Sequence, residues 1–153
     1  MHDFLGEART AMAGLPDDKR LMGLDLGSTT IGIATADYTR QIATPRFTIE
    51  RGKFQADAKA LLDFAAKEEV GLLVLGLPLN MDGSEGPRCQ STRAFARNLA
   101  KLTNLPIIYW DERLSTAAVE RTMLEADISR AKREKNVDKL AAAFILQGLL
   151  DAC

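Results

Sequence analysis

Apolar positions in this chain change period partway along. From residue 21 to 50 they fall in short runs, LMGLDLG, then TTIGIATAD with Ile31 and Ile33 alternating, then a third around Phe47 to Ile49. The connections are too short for a crossover helix, so the pattern predicts an antiparallel meander. Ala58, Leu61, Leu62 and Ala65 then recur at helical spacing, and GLLVLGLP follows as the continuous apolar run expected of a central strand covered on both faces. Pro78, Gly83, Gly86 and Pro87 punctuate a loop, Phe95, Leu99 and Leu102 mark one face of a helix, and PIIYW supplies a fifth strand. Ser115 is placed to cap a helix after Leu114, and ISRAKREKNV reads as a polar, basic loop. A closing helix carries Leu140, Ala141, Phe144, Ile145 and Leu149 as its core stripe. Together these elements predict an α/β fold, a mixed five-stranded sheet with helices on both faces.

Residues 1 to 20 precede the first strand pattern. Phe4, Leu5, Ala8 and Met12 are spaced for a short helix, but a partly ordered extension is expected ahead of one domain spanning residues 21 to 153. A chain of 153 residues with 46% hydrophobic content can bury one sizeable core and not two. Two cysteines, Cys89 and Cys153, make no disulfide framework or zinc spacing, and His2 is the single histidine. Ser-His-Asp and Cys-His mechanisms are therefore excluded unless that terminal residue takes part. The first twenty residues lack the apolar core of a signal peptide and no later stretch has the apolar length of a membrane span, so a soluble, cytoplasmic protein is expected.

One acid interrupts the first apolar run. Asp25, inside LMGLDLGSTTIGIA, is a lone carboxylate on a strand that should be buried, which is costly unless a positive group pairs with it. The Asp111-Glu112-Arg113 run after PIIYW and Asp138 before KLAAAFILQGLL also adjoin hydrophobic segments. Three carboxylates from remote parts of the chain, each at the edge of a core element, fit a divalent-cation site. Strand alternation puts Asp111 and Glu112 on opposite faces and leaves open which faces inward. Each acid also has an ordinary explanation, an ion pair with Arg113 for the strand end and the N-terminal field of a helix for Asp138. Ala141, Ala142 and Ala143 would let that helix approach a strand closely enough for Asp138 to share a ligand with Asp25.

Smaller signals surround this set. The turn holding Ser28 can face a phosphate or simply close a hairpin, and Asn80, after the central strand, can orient a phosphate or serve a turn. The net charge of −1 gives no global case for a polyanion. Locally, however, residues 87 to 101 carry Arg88, Arg93, Arg97 and Lys101 and no acid, a charge of +4. Residues 128 to 139 carry Arg130, Lys132, Arg133, Lys135 and Lys139 against two acids, a net +3. Two such runs in an acidic protein read as phosphate contacts for a polyanion, with ISRAKREKNV as a lid that orders on it. Aromatic content of 6% offers no stacking platform, so recognition of shape and backbone is expected rather than of bases.

The segments GLDLGSTTIGIA, LVLGLPLNMDGSEGPR, WDERLSTAAVE and VDKLAAAFILQGLLD, in this order and spacing, resemble the YqgF/RuvX family of pre-16S rRNA nucleases and Holliday junction resolvase-like proteins. The resemblance runs from about residue 21 to the C-terminus. It implies a ribonuclease H-like fold, whose first strand carries a metal-binding Asp at the sheet centre and whose C-terminal helix brings another to it. It further implies a metal-dependent nuclease acting on structured RNA in small-subunit rRNA maturation, with Mg²⁺ or Mn²⁺ as cofactor. On this reading Asp25 is the bridging ligand, Glu112 and Asp138 complete the site, and Asp111 competes for the middle position. Partners would be pre-rRNA, the small ribosomal subunit or branched DNA, with the chain a monomer or homodimer. A non-catalytic RNA-binding assembly factor on the same fold is the competing function. DLGSTT is also similar to the first phosphate motif of the actin and sugar-kinase superfamily, but those proteins enclose nucleotide between two lobes and 153 residues supply one.

Overall fold

The computed structural model describes the backbone of residues 3–113 and 130–153 and the side chains of residues 3–113 and 139–153. A short helix, α1 (Phe4–Ala13), leads into three strands, β1 (Arg20–Leu26), β2 (Thr30–Ala36) and β3 (Ala43–Glu50), paired antiparallel as the expected meander. The chain then crosses by α2 (Phe54–Lys67) to β4 (Val70–Leu77), which pairs parallel with β1, and by α3 (Pro87–Ala100) to β5 (Ile107–Asp111), parallel to β4. The sheet order is β3-β2-β1-β4-β5, and α4 (Arg130–Ala152) closes the chain.

Strand alternation divides the core in two. Met22, Leu24, Ile31, Ile33, Leu73 and Leu75 face α2 and α3, where they meet Ala58, Leu61, Phe95 and Leu99. Leu21, Ala34, Leu72 and Val74 face the opposite way, toward Ala8 of α1 and Ala142, Ile145, Leu146 and Leu149 of α4. Because β1 and β4 are covered on both sides, their sequences are apolar throughout rather than alternating. Among the described residues, no helix is long and apolar enough to cross a membrane.

Several local expectations are corrected. The first segment is helical where a partly ordered tail was expected: Asp3 caps α1 by accepting from the Gly6 N–H at 2.9 Å, and Ala8 is fully buried. Arg40, in a left-handed conformation at φ 59, holds the other end by donating to the Leu15 and Pro16 carbonyls at 2.9 and 2.6 Å. That ties the segment just after the helix to the β2–β3 hairpin, a contribution invisible in the helix's own sequence. The basic stretch read as a loop is helical from Arg130 onward, because α4 starts nearly three turns before its apolar stripe. In that stripe Phe144 is 38% exposed, while Leu146 and Leu150 are buried, since α4 lies across β1, β2 and β3 and needs a broad flat face. Leu102 falls beyond α3 and is 46% exposed. Ser115 and the helix expected after Leu114 lie outside the described residues.

The α4 layer sits very close to β1. A Cβ placed on Gly23 would lie 2.9 Å from the Leu146 Cβ and 3.0 Å from the Ala142 carbonyl oxygen, so a side chain there must push backbone as well as side chain. Gly23→Ala is expected to lower stability by about 1–3 kcal/mol, the usual cost of overpacking a dense core, in urea denaturation. An unchanged midpoint would show that α4 is free to move outward.

Candidate active site

Asp25 lies near the end of β1 on the face that carries Leu21 and Gly23, hence toward α4. Its neighbours in the sheet have no side chains. Gly32 of β2 is its register partner, and the pairing of Leu24 with Leu75 puts Gly76 of β4 one step along on the other side. The result is a notch in the sheet with a carboxylate on its floor. A Cβ on Gly76 would collide with the Glu112 Oε2 and the Ile145 Cδ1, so the missing side chain is the space that Glu112 occupies.

Alternation along β5 decides which of the two acids enters. Ile108 and Trp110 pack in the α4 layer, and Glu112 continues that parity; Ile107 and Tyr109 pack on the α2–α3 side, and Asp111 continues theirs. The Glu112 carboxyl shares a hydrogen bond with Asp25, and the two residues are only 6% and 7% exposed. Burial pushes the Glu112 pKa above the ordinary glutamate value, against the downward pull of its hydrogen bond with Asp25 and of the Arg88 charge, while the Asp111 charge adds to the rise. Two acids in contact and out of water cannot both carry unit charge without compensation. A shared proton supplies it, or a cation. The donors are hard oxygens on a rigid sheet, which suits Mg²⁺ or Mn²⁺ rather than a soft metal. Among the described residues no three His, Cys, Asp or Glu side chains cluster closely enough to hold a metal ion, so a third ligand has to come from elsewhere.

The remaining candidates divide clearly. Asp111 turns from the notch into an ion pair with Arg113, Nε to Oδ2 at 2.8 Å, the ordinary explanation that the sequence allowed for the acidic pair. Asp138 belongs to α4 by its backbone, one helical turn before Ala142, and its side chain lies outside the described residues, as do those of Arg130, Lys132, Arg133 and Lys135. Arg88, in the first turn of α3, donates to the Leu26 carbonyl at 3.3 Å and is near enough to Glu112 to influence its ionisation. Arg93 does not present a free charge. It forms a two-pronged pair with Glu85 at 2.7 and 2.8 Å and lies over the Tyr109 ring, and Glu85 sits just outside the acid-free window that the sequence suggested. Arg97 and Lys101 are exposed, and so is Ser28, in a two-residue hairpin loop closed by Gly27 N–H donating to the Thr30 carbonyl at 2.8 Å. Asn80 serves its loop: its side-chain amide donates to the Ser84 hydroxyl at 2.9 Å, and its backbone bonds close the turn over Gly83. The sequence reading overlooked the glycines that open the notch; the parity of Gly23 with Asp25, and the break at Gly76 in the apolar β4 run, were its available signals.

A buried carboxylate pair at the C-terminal ends of the parallel strands of a mixed five-stranded sheet is the layout expected of a ribonuclease H-like fold. Residues 19–152 match the family described as "RuvX: Holliday junction resolvase", and the chain belongs to that family, whose members hydrolyse phosphodiester bonds. It is 64% identical over 140 residues to a protein of Paramagnetospirillum magneticum, covering 92% of this chain and 90% of that one. It is 60% identical over 139 residues to a protein of Rhizobium etli, covering 91% and 85%. Both relatives bear the name "Putative pre-16S rRNA nuclease". Among solved structures, the fowlpox virus Holliday junction resolvase is similar with a TM-score of 0.50 at 13% identity, over 88% of this chain and 99% of that one, a likeness of fold alone.

The raised Glu112 pKa carries a sign that can be checked without substrate. With metal chelated, the folded state holds this proton to higher pH than the unfolded chain does, so the stabilisation is present below the ordinary value of 4.5 and is lost as pH rises through the elevated one. Glu112→Gln should remove that decline, so that its stability relative to wild type increases as pH is raised above 4.5 in urea titrations with EDTA. Parallel curves for the two proteins would place the carboxyl in a solvated setting.

Proposed function

We propose that this chain is a metal-dependent nuclease that hydrolyses phosphodiester bonds in structured RNA, processing the 5′ end of pre-16S rRNA during ribosome biogenesis in the cytoplasm. The observation that carries the reading is the Asp25–Glu112 contact in a notch lined by Gly32 and Gly76, where two buried acids need either a shared proton or a cation between them. Asp25, Glu112 and, from α4, Asp138 would hold Mg²⁺ or Mn²⁺. When bound, such a cation lowers the pKa of water and neutralises charge developing on the leaving oxygen. The protein's share is positioning. The sheet fixes Asp25, the end of β5 delivers Glu112, and close packing of α4 on Gly23 keeps water from filling the space behind them. No histidine is needed, which accords with a chain whose single histidine is His2.

The substrate assignment follows the names of the relatives from Paramagnetospirillum magneticum and Rhizobium etli, and the exposed Arg97 of α3 and Lys101 at its end supply the backbone contacts expected for an RNA chosen by shape. The test is cleavage of a precursor 16S rRNA fragment, an RNA duplex and a four-way DNA junction with Mn²⁺ present. Wild type is expected to cut the precursor at its 5′ side. Asp25→Asn should lower the rate by about a thousandfold or more while leaving RNA binding measurable. Cleavage retained by carefully purified Asp25→Asn would remove the catalytic role, exclusive cutting of the junction would replace RNA with branched DNA, and binding without cleavage would favour an assembly factor.

A further inference from the structure

Arginines in this protein differ in what holds them. Arg20 and Arg46 both meet Glu68, Arg93 meets Glu85 and Arg113 meets Asp111, so each of these charges has a carboxylate beside it. Arg51 and Arg88 are tethered in another way. The Arg88 Nη2 donates to the Leu26 carbonyl at 3.3 Å, and the Arg51 Nη1 donates to the Gly27 carbonyl at 2.7 Å. These are the two residues that follow Asp25. A carbonyl tether fixes a guanidinium in place without cancelling its charge and leaves several of its five N–H donors for another acceptor.

Arg51 is held more firmly than a loop residue needs to be. Its backbone N–H donates to the Thr29 carbonyl at 2.8 Å, and the next N–H, of Gly52, is bound by the buried carboxylate of Asp57 at 3.1 and 3.2 Å. The guanidinium lies 5.7 Å from the centre of the Phe95 ring. Phe95 is seven residues beyond Arg88 on α3, hence on the same helical face, so α3 backs both arginines where β1 runs past Asp25 into the β1–β2 turn. Both residues are exposed, and Arg88 is near enough for Glu112 to feel its charge.

We propose that Arg51 and Arg88 form a two-arginine rim that grips the phosphate backbone of the strand lying over the Asp25–Glu112 notch. This rests on the nuclease reading above and adds to it the residues that bring an anionic strand to an acidic centre. A polyanion approaching two carboxylates is repelled unless fixed cations meet it at the mouth, and the guanidinium fork matches phosphate oxygens. Arg51 and Arg88 are positioning residues: they hold the strand, and the acids serve the chemistry.

The experiment measures binding and cleavage separately, using the full chain and an RNA duplex with a single-stranded 5′ extension. Binding is followed in EDTA over a salt series for wild type, Arg51→Gln, Arg88→Gln, the two Lys variants and Lys59→Gln as control, Lys59 being exposed and paired with Asp63 on α2. Each Gln variant is expected to reduce the slope of log affinity against log salt by about one. Each should also lower kcat/KM with Mn²⁺ by about tenfold or more. The Lys variants should keep the slope and lose rate, because they retain the charge without the fork, and Lys59→Gln should match wild type. Unchanged salt slopes in both Gln variants overturn the proposal, including the case where melting temperature falls and the arginines merely brace the β1–β2 turn. Reduced slopes with no cleavage by wild type would uphold the rim and overturn the nuclease reading instead, and no RNA binding by wild type overturns both.

Discussion

Everything in this domain turns on two acids forced together away from water. Asp25 and Glu112 come from strands that are not neighbours, separated by β4, and they meet only because β4 presents a glycine between them. Such a contact opposes folding unless charge is removed or balanced, so the remainder of the fold has to supply the stabilisation. It does so with two apolar layers, each closed by helices, and with a β1–α4 approach tight enough that Gly23 cannot carry a side chain. Rigidity in these layers keeps the two carboxyls from separating into solvent, which is what a preorganised site requires.

The surrounding cations follow a complementary order. Three arginines away from the notch are matched with carboxylates: Arg20 and Arg46 with Glu68 where β1 and β4 begin, and Arg93 with Glu85 beside α3. At the end of β1, Arg51 and Arg88 instead donate to the main-chain carbonyls that follow Asp25, while Arg113, next to Glu112, pairs with Asp111. A protein of net charge −1 can in this way keep its overall field weak and still concentrate positive potential around one acidic opening.

Much of this was legible in the chain. Periodicity located all five strands and the helices α2, α3 and α4, because runs such as GLLVLGLP and the Ala58-Leu61-Ala65 spacing are set by burial, which local sequence records directly. Asp25 stood out for the same reason, as a charge in an apolar run. The choice between Asp111 and Glu112 was not legible, since alternation fixes their relative faces but only the position of α4 says which face is inward. Long-range partners were equally hidden: α1 depends on Arg40 from the β2–β3 hairpin, and Arg93 on a glutamate eight residues earlier in a different segment. The first turns of α4 were misread because Arg130 to Val137 is mostly polar, and a polar sequence without an apolar stripe is no argument against a helix.

Carbon-13 NMR of the Glu112 side-chain carboxyl, titrated against pH with and without Mg²⁺, addresses the central claim most directly. In the metal-free protein the carboxyl should remain protonated above the ordinary glutamate range, and adding Mg²⁺ should release that proton and shift the resonance at constant pH. A carboxyl that titrates like an exposed glutamate and ignores Mg²⁺ would contradict the account, because the acids would then have no need of a cation.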